Sequence, residues 1–104
     1  MSRVAYRVHT KPAGIARLQL LIRQLMGGSH VVLQLEDGSE VRGIVVVQPS
    51  AQSFMSPDGN EGTNAKVRLV QPALYYPETA GWRDIWVDRI QSIKRIDPGS
   101  ALPD

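Results

Sequence analysis

The apolar residues change their spacing at Gly27-Gly28, and that switch divides the chain into one helix and a run of strands. Before the glycines, Ile15, Leu18, Leu21, Ile22, Leu25 and Met26 recur at steps of one, three and four. At the helical step of about 100° per residue they share one arc of roughly 140°. Arg17, Gln19, Arg23 and Gln24 lie elsewhere on the circumference, and Leu20 lies off the arc, as an exposed or interface residue would. Thr10 reads as the N-cap, and Pro12 sits in the first turn, where its missing N–H does no harm. Gly27-Gly28 ends the element because glycine accepts the left-handed conformation that follows a helix. The expected helix spans residues 10–27.

After the glycines the period is two. Val31, Leu33 and Leu35 alternate with Val32, Gln34 and Glu36, and Asp37-Gly38 supplies a tight hairpin turn. The return strand runs from Glu40 to Gln48, rich in branched residues and interrupted by Gly43, which marks a sharp bend or a close backbone approach. Pro49 ends the regular pairing. Ser50 to Asn64 reads as a polar, turn-forming connection broken only by Phe54-Met55. Ala65 to Gln71 alternates again, Pro72 to Arg83 reads as a second long connection, and Asp84-Ile85-Trp86-Val87 as a short strand. Asp88 to Gln91 forms one tight turn capped by Asp88, and Ser92 to Ile96 a last strand. Whether Lys66–Gln71 or Ala51–Met55 serves as the third strand is left open. Residues 1–9 alternate weakly, as an N-terminal arm or extra strand would, and 98–104 read as a tail.

This order predicts a mainly β fold with one N-terminal helix. Five short antiparallel strands bury both faces only by curling, so the expected architecture is a small, strongly bent barrel, residues 30–97, capped by the helix. With 104 residues the chain suits a single domain, and it holds no cysteine, so disulfide scaffolds, thiol catalysis and cysteine zinc sites are excluded. The most apolar run, Leu18 to Ile22, falls far short of the ~20 residues of a membrane span. A cytoplasmic protein with no membrane partner is the expectation. The net charge of +2 conceals an asymmetry: residues 1–30 carry Arg3, Arg7, Lys11, Arg17 and Arg23 and no acid. A basic third of this kind suits an anionic partner or an ordinary solvated surface.

A helix, a hairpin with a bend glycine in its second strand (Val31–Glu36, Asp37-Gly38, Val41-Arg42-Gly43-Ile44-Val45) and the ending Ile85 to Ile93 resemble the Sm-like fold of Sm, LSm and Hfq proteins. More narrowly, the chain resembles small uncharacterised proteobacterial Sm-like proteins. The resemblance implies a non-enzymatic module that binds RNA or single-stranded nucleic acid as a homo-oligomer, with Gly43 as the structural bend. It also implies pairing of the last two strands between subunits through Ile85, Trp86, Val87, Ile93 and Arg95. Two signatures depart from the family's pattern. Its acidic residue and asparagine after the second strand are replaced at that count by Pro49 and Ser53, and its arginine-glycine pair is replaced by Asp88-Arg89-Ile90-Gln91. The alternative is therefore a protein-interaction or assembly module that keeps the barrel without the RNA pocket.

The side chains that carry nucleic-acid chemistry are Tyr75, Tyr76, Trp82, Arg83 and Arg89, which combine stacking surfaces with phosphate-binding cations. Arg17 and Arg23 add to them from the helix. The two histidines, His9 and His30, lack the spacing of a metal or catalytic set. No catalytic residue, metal site or cofactor is expected.

Overall fold

The structure, a computed structural model, describes residues 3–71 and 81–96. Helix α1 spans Pro12–Arg23, shorter than the apolar arc suggests. Lys11, not Thr10, occupies the N-cap; it is extended and makes no side-chain capping bond, and Pro12 fixes the first turn instead. The helix stops before the glycines because Gln24 closes it in a tight turn, with backbone bonds from Gln24 to Leu21 and from Leu25 to Ile22. Gly28, at φ 85°, then redirects the chain and bonds Val45. Leu18, Leu21 and Leu25 are buried, while Met26 and Leu20 stand about half exposed at 50% and 56%. The helix touches the turn before the last strand and the second strand of a β-hairpin insertion.

Among the described residues eight strands follow the order of the chain: β1 (Arg3–Val4), β2 (His30–Leu35), β3 (Glu40–Val45), β4 (Gln52–Met55), β5 (Glu61–Asn64), β6 (Lys66–Gln71), β7 (Gly81–Trp86) and β8 (Ile90–Arg95). Five of them form one antiparallel sheet in the order β7-β6-β3-β2-β8. Lys66–Gln71 is thus the third strand of this sheet, and the open choice is settled. The sheet is not a closed barrel: β7 and β8 are its two edges and do not pair with each other. In place of one closed barrel the described strands form two open sheets. The Ser50–Asn64 connection folds into the hairpin β4–β5, and β1 joins β4 in parallel to complete a three-stranded second sheet. Phe54, 3% exposed, anchors that hairpin.

Alternation sets the faces. Val31, Leu33, Leu35, Val41, Val45, Val67, Leu69, Ile85 and Ile90 point into one core with the helix leucines. Gly43 is buried, and a Cβ there would lie 2.9 Å from the carbonyl oxygen of Val70 and 3.0 Å from Leu69 Cβ. Its role is the close approach of β3 to β6. The last two strands are longer than their sequence pattern suggests. β7 begins at Gly81, and β8 begins at Ile90, after a 3-10 turn over Val87–Arg89. Two expectations about that turn fail. Val87 is fully buried within it, so it is core and not an oligomer edge, and Asp88 does not cap it, because Trp86 holds the N-cap.

Candidate functional site

The first cluster of polar chemistry gathers on Asp88, whose side chain is only 2% exposed. The N-terminal arm brings three donors to it. Tyr6 donates its hydroxyl to Oδ1 at 2.7 Å, Arg7 donates Nε–H to Oδ2 at 2.8 Å, and His9 Nε2 lies 2.8 Å from Oδ2. Arg7 Nη2 also donates to the Tyr6 hydroxyl and pairs with Glu36 at 3.3 Å. Burial pushes the Asp88 carboxyl up, but the hydrogen bonds from Tyr6, His9 and Arg7 outweigh it and hold the group below the usual carboxylate range. The same contact, with burial foremost, raises the Tyr6 hydroxyl well above its ordinary value.

The backbone of the arm is tied down as well. Ala5 N–H bonds Met55, His9 exchanges two bonds with Thr63, and buried Asn64 donates to the Arg7 carbonyl at 2.8 Å while its own oxygen accepts from Ala65. Gly62 makes the crossing possible, since a Cβ there would meet Val8 and His9 at 2.9 Å. Aromatic rings close the end: Trp86 lies 5.8 Å from Tyr6 and 5.2 Å, edge-on, from Phe54, with Lys66 Nζ 4.9 Å from the Trp86 ring centre. The turn before β8 is therefore sealed by the chain's own N-terminus. Sequence reasoning missed this cluster. The weak alternation Val4-Tyr6-Val8 fitted an arm or an extra strand, but nothing local pairs residue 7 with residue 88.

The second cluster lies on the outward face of β6 and β7. Register places Val70 beside Trp82, Arg68 beside Asp84 and Lys66 beside Trp86. Arg68 grips Asp84 through two bonds of 2.8 and 3.0 Å and stacks its guanidinium 5.0 Å from the centre of the Trp82 ring. That bond draws the Asp84 carboxyl below its ordinary value. Trp82 remains 68% exposed. Between this pair of strands and the chain after β3 lies a concavity of about 340 Å³ lined by Val46, Val47, Pro49, Lys66, Arg68 and Asp84.

The aromatic–basic set expected from the sequence does not converge on one place. Tyr75 and Tyr76 lie outside the described residues. Arg17 donates to the Ile90 carbonyl at 2.6 Å, and Arg89 pairs with Asp37 at 3.2 Å, so both brace the fold. Arg23 is exposed in the last turn of α1, and Trp82 and Arg83 are exposed on β7. Of the expected edge residues, Trp86 is half-buried and Ile85 is core on β7, while Ile93 is half-buried and Arg95 exposed on β8. Among the described residues no group of three His, Asp or Glu side chains could hold a metal ion. No helix of the described residues is long and apolar enough to cross a membrane.

A crystal structure of XC5848 from Xanthomonas campestris, described as adopting a novel variant of the Sm-like motif, is similar to this chain throughout. The TM-score is 0.82 at 31% identity, covering 93% of this chain and 100% of that one. The Sm-like fold anticipated from Gly43 and the flanking strands therefore holds, in an open-sheeted form. No curated protein matches the chain. The profile of DUF3247, a domain of unknown function, matches residues 2–96, nearly all of the described fold, and the chain belongs to that family.

Proposed function

We propose that the protein is a non-enzymatic assembly module: an Sm-like domain that pairs with other protein chains through the edges of its five-stranded sheet. One observation carries this reading above base recognition. The turn between β7 and β8 is filled by Tyr6, Arg7 and His9, which consume the hydrogen-bonding capacity of Asp88 from within the same chain. Assembly is supported by the edges themselves. Along each, backbone groups alternate outward without a ladder partner among the described residues, and such edges are templates for strand addition. The edges also differ in character. β7 offers Trp82 and Arg83 beside an Asp84 already held by Arg68, and β8 offers Lys94 and Arg95, so unlike edges would meet in a head-to-tail pairing of copies.

The nucleic-acid reading keeps a narrower base: Trp82, Arg83 and Arg23, the described members of the aromatic–basic set that remain exposed without an internal role as a brace. Light scattering over a range of concentrations, paired with filter binding of single-stranded RNA at low salt, separates the two. Assembly gives a mass that rises above 11.5 kDa with concentration and no retained RNA. A chain that stays monomeric throughout and retains RNA at low salt overturns the proposal in favour of nucleic-acid binding.

A further inference from the structure

The outward face of the sheet near β7 carries more exposed apolar surface than strand-edge pairing uses. Met26, Val46, Val47, Val70 and Trp82 are exposed by 50%, 48%, 66%, 39% and 68%. The backbone brings the segments that carry them together. Gly27 packs on the backbone of Val46 to Gln48, Val46 N–H bonds the Arg68 carbonyl, and Val70 stands opposite Trp82. The band runs from the chain after β3, across the charged side chains of Lys66, Arg68 and Asp84, to Val70 and Trp82 at the free edge strand. Exposed apolar surface of this kind on a small domain marks a place where another molecule sits.

The middle of the band is shaped. Val46, Val47 and Pro49 give the concavity an aliphatic wall, and its 340 Å³ suits one or two side chains. Its charges are unequal. Arg68 and Asp84 neutralise each other, while Lys66, whose ammonium lies 4.9 Å from the Trp86 ring centre, has no carboxylate within salt-bridge distance among the described residues and leaves the concavity one positive charge in excess. The Arg68–Asp84 clamp also holds the Trp82 ring in place, so the aromatic anchor needs little ordering on binding.

We propose that this concavity is a docking site for an extended segment of a partner protein that carries an aliphatic side chain next to a carboxylate. The aliphatic group lies on Val46, Val47 and Pro49, the carboxylate meets Lys66, and the partner's backbone continues onto the open edge of β7. The inference rests on the assembly reading above and names the chemistry of the partner. The aliphatic walls of Val46, Val47 and Pro49, with one positive charge in excess inside the concavity, favour such a peptide over a polynucleotide, whose phosphates need several unpaired cations in one place.

The test is selection of random peptides displayed on phage against the immobilised full-length chain. An enriched peptide is then titrated in labelled synthetic form against the wild type and against Val46→Lys, Lys66→Glu and Trp82→Ala. Enrichment of sequences alternating aliphatic and acidic residues is expected. Binding should fall about thirtyfold in Trp82→Ala, the size of an anchor residue, with an unchanged melting curve, and about tenfold in Lys66→Glu. Failure to enrich, enrichment of sequences without acidic residues, or equal binding to all three variants overturns the proposal. So does single-stranded RNA displacing the peptide from the wild type but not binding Trp82→Ala, which would assign the face to nucleic acid. Peptide binding that appears only after an oligomer is diluted to monomers assigns the face to a second copy and likewise overturns it. The mass measurement keeps the two claims apart, because a monomer that binds these peptides sinks self-assembly and leaves the docking site standing.

Discussion

The two ends of β7 use the same kinds of side chain to opposite purposes. At its C-terminal end Trp86, Tyr6, Arg7 and Asp88 face one another, and the carboxylate is withdrawn from water. At its N-terminal end Trp82, Arg68 and Asp84 also face one another, yet the ring remains largely in solvent. The difference is the N-terminal arm. It covers one end and supplies the donors there, and it has no counterpart among the described residues at the other. An aromatic–arginine–aspartate grouping is therefore a structural joint where the chain covers it and a presented surface where it does not.

That contrast is open to direct attack. The largest effect should come from Asp88→Ala, which strands Tyr6, Arg7 and His9 around an empty site. We expect a loss of about 3 kcal/mol in chemical denaturation, with faster amide exchange across residues 3–9. An unchanged exchange pattern would show that the ladder to β4, not the carboxylate, holds the arm. Gly43→Val should cost about 2 kcal/mol, because its side chain meets the Val70 carbonyl and pushes β6 away from β3. It should also disturb the Val70–Trp82 end more than the Asp88 end, a difference that amide chemical shifts would report.

Acid sharpens the comparison further. Asp88 is held below its unfolded value, so its contribution is present above the unfolded pKa, about 3.9, and is lost as pH falls through the folded value. Arm amides should lose exchange protection below about pH 4 in the wild type and show no such step in Asp88→Asn. The smallest effect on stability belongs to the open end. Trp82→Ala should change the unfolding free energy by less than about 0.5 kcal/mol, since most of the ring is already in water and the Arg68–Asp84 pair is a surface one. A larger loss would mean that the tryptophan is structural after all.

Much of the architecture was legible from spacing alone. Period two over Val31–Leu35 and Lys66–Leu69 places the core faces correctly, and the helix leucines 18, 21 and 25 are all buried. Branched and unbranched apolar residues at those steps have few other ways to leave water. What misled was composition in the insertion. Ser50 to Asn64 is polar and rich in turn formers, yet Phe54 packed on Trp86 and the N-terminal arm bonded to Met55 and Thr63 hold a hairpin there. The aromatic–basic set misled for a related reason. Arg17 and Arg89 read as free cations, but a carbonyl at Ile90 and a carboxylate at Asp37, 73 and 52 residues away in sequence, claim them.

By itself, then, the sequence determined the helix, the strands of the five-stranded sheet, the tight spot at Gly43 and the identity of the buried leucines and most buried valines, because periodicity and steric limits act over a few residues. Only the tertiary structure decided that the sheet stays open, that the arm closes one end on Asp88, and that Trp82 is left on the surface. Those outcomes depend on which distant groups meet: a hydrogen bond between residues 6 and 88 leaves no mark on the local pattern of either.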